Sequence, residues 1–186
     1  MLRKLLVGTA AVALVAGFAI AAELKSGPQV GDAVPGPFAP LNINGSKPGE
    51  KICQFCANGD SPVVLIFARN PGDAQTQKLI KEVDTLVAKH EKCEMGSYVV
   101  FCTDDSKAEA ACKELVEKNK YFKVILTLDS PAGPAKYKFA KEADVTVVLY
   151  TARKVKANHT FKAGELKDEA IAKVLKDVAV IVPESK

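Results

Sequence analysis

Six consecutive apolar residues, Val63-Val64-Leu65-Ile66-Phe67-Ala68, constrain this chain more than any other feature of it. The run has no polar alternation. It is rich in β-branched residues and is closed by Pro62 on one side and Asn70-Pro71-Gly72 on the other, which fits a strand covered on both faces. The residues that follow supply the covering layers. Asp73 is placed to cap a helix on which Leu79, Ile80, Val83, Leu86 and Val87 recur at helical spacing up to about Lys92. Tyr98 to Cys102 predicts a second strand. Ser106-Lys107-Ala108-Glu109 reads as a capping box opening a second helix, with Ala108, Ala111, Cys112 and Leu115 on one face. Val124 to Leu128 predicts a third strand, Ala135 to Ala143 a short helix, and Val145 to Tyr150 a fourth strand. Thr151-Ala152-Arg153 turns into a fifth, Lys154 to Phe161, where Val155, Ala157, His159 and Phe161 alternate with polar residues. A terminal helix from about Asp168 carries Ile171, Val174, Leu175 and Val178 and stops near Pro183.

This order predicts an α/β sandwich. Its core is a mixed sheet of about five strands, with helices on both faces and an antiparallel last pair joined by the tight turn at Arg153. With 186 residues, 48% hydrophobic and 26% charged, the chain has room for one core and is not of disordered composition. Residues 22–61 are different in kind. Gly27-Pro28, Pro35-Gly36-Pro37 and Pro48-Gly49 predict a run of turns, with one short hairpin around Leu41 to Gly45.

The first residues read as an address. Arg3 and Lys4 precede an apolar run from Leu5 to Ile20 that ends in Ala19-Ile20-Ala21, the small-residue pattern of signal-peptide cleavage. The run is short and Ala-rich for a membrane span, and no cysteine beside the cleavage site marks a lipoprotein. The expected organisation is a signal peptide over 1–21, a Gly/Pro-rich extension over 22–61, and the sandwich domain over 62–183. Export to a periplasmic or extracellular space implies that disulfides persist. Of the net charge of +4, two charges lie in the signal peptide, and the chain has no Trp and only 6% aromatic residues. Neither a nucleic-acid surface nor an anionic-membrane surface is expected from such a composition.

With the sandwich order in hand, the prefix acquires meaning. Val30-Gly31-Asp32, then Phe38, Leu41 and Gly45 ahead of Val63 to Ala68, resembles the opening of the redoxin branch of the thioredoxin-like superfamily, the peroxiredoxins and thioredoxin-like reductases. Pro71-Gly72-Asp73 resembles the turn after the first central strand of peroxiredoxins, and Asp144 to Leu149 the strand that follows the cis-proline of thioredoxins. The resemblance implies a thioredoxin-like three-layer fold over roughly residues 30–180. The usual catalytic groups are missing from it. Arg69 to Ala74 has no C-x-x-C, Ala74 to Lys78 has no peroxidatic cysteine, and Val145 stands where the cis-proline is expected.

The cysteines that are present lie elsewhere. Cys53-Gln54-Phe55-Cys56 is a C-x-x-C that precedes the central strand. Ala57 to Pro62 reads as turn, so no helix is expected behind it to favour a thiolate. Direction along the chain suggests a third thiol. The strand runs out and the helix runs back, which brings Cys93 to the edge where the C-x-x-C lies, to meet Cys53 or Cys56. A Cys56–Cys93 bridge would close a loop of about 38 residues and contribute ~4 kcal/mol in the chain-entropy description, against ~2 for a bridge within the C-x-x-C. Cys53, Cys56, His90 and Cys93 also have the residue types of a tetrahedral zinc set, the one cofactor the sequence suggests. His90 alone reads as a cation at a helix C-terminus. Cys102, Cys112 and His159 read as core residues.

Three functions fit these readings. One is an exported thiol–disulfide protein using Cys53 and Cys56, with Cys93 as third thiol, acting on protein or peptide thiols and disulfides. The second is a non-catalytic thioredoxin-like binding or structural protein with a disulfide-stabilised edge. The third is a protein with a Cys/His metal site.

Overall fold

The computed structural model describes residues 24–121 and 123–182, so the proposed signal peptide lies outside the described residues. The apolar run forms a strand, β2 (Val63–Ala68), and all six of its residues are fully buried. On one side it pairs in parallel with β3 (Gly96–Cys102), which pairs in parallel with β4 (Val124–Asp129). On the other side it pairs antiparallel with β5 (Val145–Thr151), which turns into β6 (Lys154–Phe161). A two-residue strand, β1 (Leu41–Asn42), pairs antiparallel with β4. The sheet therefore has six strands in the order β1-β4-β3-β2-β5-β6. The sixth comes from the extension, whose short hairpin is real: Leu41 bridges Lys51, and the Asn42 N–H donates to the Glu50 carbonyl.

Alternation along β2 sorts the interior into two layers. Val64, Ile66 and Ala68 face a cluster with Leu79, Ile80, Val83, Cys112, Leu115, Ile171 and Val174. Val63, Leu65 and Phe67 face a second cluster with Phe55, Tyr98, Tyr137, Phe139 and Tyr150. Full burial of each such aliphatic or aromatic side chain is worth ~1.5–3 kcal/mol, so this one strand fastens both layers.

The three long helices among the described residues lie on one face of the sheet, so its two faces are covered unequally. They are α2 (Ala74–Lys89), α3 (Ala108–Asn119) and α4 (Asp168–Asp177), and all contribute to the first cluster. Handedness explains this. The steps β2 to β3 and β3 to β4 advance in the same direction across the sheet, and right-handed crossovers then place both connecting helices on the same side. The opposite face is covered by residues of the extension, among them Val34 and Phe38, by a five-residue helix, α1 (Gln54–Asn58), and by residues 137–143.

Asp73 caps α2, accepting from the Thr76 N–H at 2.7 Å. The capping box at Ser106 does not form; α3 starts at Ala108 with no side-chain cap, and Asp105 instead accepts from the Lys107 N–H. The short helix at 135–143 is a single 3-10 turn, Ala135–Tyr137. In β6 a bulge opposite Leu149 and Tyr150 breaks the alternation, so Val155 joins the second cluster while Ala157 and Phe161 pack on the first.

Candidate functional site

Cys53 and Cys56 are joined in a disulfide, with Cα atoms 5.3 Å apart. A short helix begins within the C-x-x-C and ends two residues beyond Cys56, and Gly59 to Ser61 form the turn expected there. Cys53 has an extended backbone and caps α1: its Sγ accepts from the Cys56 N–H at 3.1 Å, and its carbonyl accepts from the Ala57 N–H. Gly59 ends the helix at φ +54°, a conformation that favours glycine. Five residues supply one turn and one N–H for the sulfur, not the aligned dipoles of a full helix.

Each side of this turn is fixed. Phe55 is buried in the second cluster. Buried Gln54 donates from Nε2 to Asn42 Oδ1 at 3.1 Å. Asn58 donates to the Gln54 carbonyl at 2.7 Å, and its Oδ1 occupies the space a Cβ on Gly96 would need. Arg153 lies over the Phe55 ring, 5.3 Å from its centroid, and its Nε is 3.0 Å from Asp60 Oδ1. These contacts put the bridge at the end of the sheet where β2 and β3 begin and β5 ends. Along the turn, Gln54 and Phe55 point inward. Cys56 is exposed, whereas Cys53 is half-buried and packs on the second cluster.

Cys93 is a free thiol, half-buried, donating from Sγ to the His90 carbonyl at 3.0 Å. Cys93 stands at the end of the sheet that chain direction predicts, since the 3-10 turn Glu91–Cys93 stands just before β3. It lies on the other face. Cys93 packs on the first cluster with α2, and Cys53 on the second, so the sheet separates them. Cys93 therefore bridges neither Cys53 nor Cys56. Cys53, Cys56, His90 and Cys93 do not assemble into a zinc set either; among the described residues no group of three or more His, Cys, Asp or Glu side chains is placed to hold a metal ion. His90 is the C-cap of α2, its N–H donating to the Leu86 and Val87 carbonyls.

The opposite end of the sheet is where thioredoxin-type cysteines would stand, and Arg69 occupies it. Its guanidinium donates to three backbone carbonyls, Ala143 at 2.8 Å, Ala140 at 2.9 Å and Pro131 at 3.0 Å, and lies 4.5 Å from the Phe139 ring centroid. Sequence reasoning missed this residue, although a lone Arg directly after a fully apolar strand was a usable signal. Cys102, at the end of β3, lies under this loop against Gly133; burial first, and Asp129 second, push its thiol up to about 12. Burial does the same to Cys112, up to about 12. Neither sulfur is available as a thiolate near neutral pH. His159 sits behind α4 with Nε2 3.2 Å from Asp177 Oδ2, and burial, with Lys173 nearby, holds it below its ordinary value.

No protein-family model and no curated protein matches the chain. Solved structures do. One is a protein from Bacteroides thetaiotaomicron provisionally named a protein disulfide isomerase, with a TM-score of 0.61 and 14% identity over 86% of this chain and 94% of that one. A second is a secreted Mycobacterium tuberculosis disulfide oxidoreductase homologous to E. coli DsbE, with a TM-score of 0.57 and 14% identity over 76% of this chain and 94% of that one. A third is the peroxidoxin BcpB of M. tuberculosis, with a TM-score of 0.58 and 17% identity over 86% of this chain and 99% of that one. The chain has the thioredoxin-like fold of these redoxins.

Proposed function

We propose that this is an exported thiol–disulfide exchange protein, working through Cys53 and Cys56 on protein or peptide thiols in a periplasmic or extracellular space. The observation that carries the reading is the bridge itself: two cysteines of one C-x-x-C, closed on each other, on a rigid turn whose second cysteine is exposed. A partner dithiol gives up two electrons and leaves as a disulfide, while Cys53 and Cys56 take them up as two thiols. The thioredoxin-like scaffold and the disulfide chemistry named for two of the similar structures support the reading. So does the leader pattern over residues 1–21, because a protein-borne disulfide persists in an oxidising compartment.

A second reading has its own support. The bridge stands at the end of the sheet away from the usual site, and Arg69 fills the usual site. On that reading the bridge is a staple and the protein binds without catalysis. Equilibrating the purified chain with mixtures of reduced and oxidised glutathione, and counting thiols by mass after alkylation, separates the two. Thiol exchange predicts three free thiols rising to five within the glutathione range. A bridge still closed well below that range leaves only the staple.

A further inference from the structure

The two sulfurs of the bridge are not equivalent, and we infer that partner thiols attack Cys56, with Cys53 as the sulfur that leaves. The inference rests on the exchange reading above and deepens it. In thiol–disulfide exchange the incoming thiolate approaches one sulfur from the side opposite the other, so access decides which sulfur is attacked. The side of the bridge beyond Cys56 opens to solvent, because Cys56 and Ala57 are the exposed residues of α1. The side beyond Cys53 is closed. Cys53 is half-buried and packs on the second cluster, to which Phe55 and Val34 belong.

The hydrogen bonding points the same way. The sulfur that leaves carries the negative charge, and Cys53 Sγ already accepts from the Cys56 N–H at 3.1 Å. That donor belongs to a turn held by Phe55, Gln54 and Asn58, so it needs no rearrangement at the moment of exchange.

A partner thiolate forms a bond to Cys56 Sγ, the Cys56–Cys53 bond breaks, and its electron pair goes to Cys53, which takes a proton from water. The partner's second thiol loses its proton and attacks the partner sulfur of the mixed disulfide. A partner disulfide is released, and Cys56 leaves as a thiolate that is then protonated. The second cysteine of the C-x-x-C is thus the contact sulfur, and the first is the leaving group.

The experiment compares two single-thiol variants, each carrying Cys93→Ser to remove the other accessible sulfur. Cys53→Ser leaves Cys56, and Cys56→Ser leaves Cys53. The rate of mixed-disulfide formation with oxidised glutathione is followed by intact mass. We expect the Cys56 thiol to react at least about tenfold faster than the Cys53 thiol. Equal rates, or a faster Cys53, overturn the inference. A measurement on the unmutated chain guards against misfolded variants: the disulfide form is treated with a peptide thiol, quenched in acid, and the mixed disulfide is located by fragmentation. Label on Cys56 supports the inference and label on Cys53 overturns it. A bridge that resists glutathione defeats the exchange reading instead. Its signature is distinct, because the variant rates still rank the two sulfurs.

Discussion

The two ends of the central sheet carry different kinds of polar residue. Where β2 ends, Arg69 spends its donors on three carbonyls and holds the segment between β4 and β5 against the sheet. Where β2 begins, the polar groups around α1 hold a frame and leave one sulfur outside it. The first arrangement consumes the position that the thioredoxin-like fold ordinarily uses for chemistry. The second places a disulfide where the fold ordinarily has only a connection. A scaffold of this kind fixes directions and layers, and chemistry can be placed at either rim of it.

That contrast can be broken in several ways. The most decisive is catalytic. With no cysteine between Phe67 and Leu79, the protein should show negligible turnover of hydrogen peroxide with a thiol donor; turnover that vanished in Cys102→Ser would return the chemistry to the Arg69 end. Next is stability at that end. Arg69→Met keeps the apolar stem and removes the donors, and should cost about 3 kcal/mol in urea unfolding while leaving glutathione exchange at Cys56 unchanged. A loss of exchange with intact folding would show that the two ends act together. At the other end, reducing the bridge opens only a short loop and should lower stability by about 2 kcal/mol, read from urea midpoints with and without reductant. A much larger loss would favour the staple reading.

The smallest effect is a sharpening. His159 is held below its ordinary 6.5 by burial and by Lys173, with Asp177 opposing. The unfolded chain therefore takes up this proton first as pH falls. The contribution of neutral His159 is complete above about pH 7, and it declines as pH drops through the ordinary value toward the lower folded one. His159→Gln should flatten the stability profile in that window and leave both ends of the sheet untouched.

Much of this architecture was legible in the residues. Val63 to Ala68 could only be a central strand, and the strand-out, helix-back grammar after it set the order of elements. What escaped were contacts between segments distant in sequence. Arg69 reads as a charged residue after a strand until Ala140 and Ala143, more than seventy residues on, are known to face it. α1 is too short to show a period, and its stability comes from Phe55, Gln54 and Arg153 rather than from propensity. Cys93 illustrates the limit of direction arguments. They fix which edge a residue reaches, whereas the face follows from crossover handedness, and here the sheet lies between the expected partners.

One contact made by the extension bears on how the molecule assembles. Ser26 is buried; its hydroxyl meets that of Thr146 at 2.8 Å, 120 positions away, and its carbonyl accepts from Asn158, 132 positions away. Loop-closure entropy makes such contacts costly to form early, so they belong to the end of the folding reaction. Cys53 and Cys56, three positions apart, carry no such cost. On a chain emerging N-terminus first, the two sulfurs meet long before the last strand exists to receive Ser26. Oxidation of the bridge can therefore precede the closure of the layer against which it comes to rest.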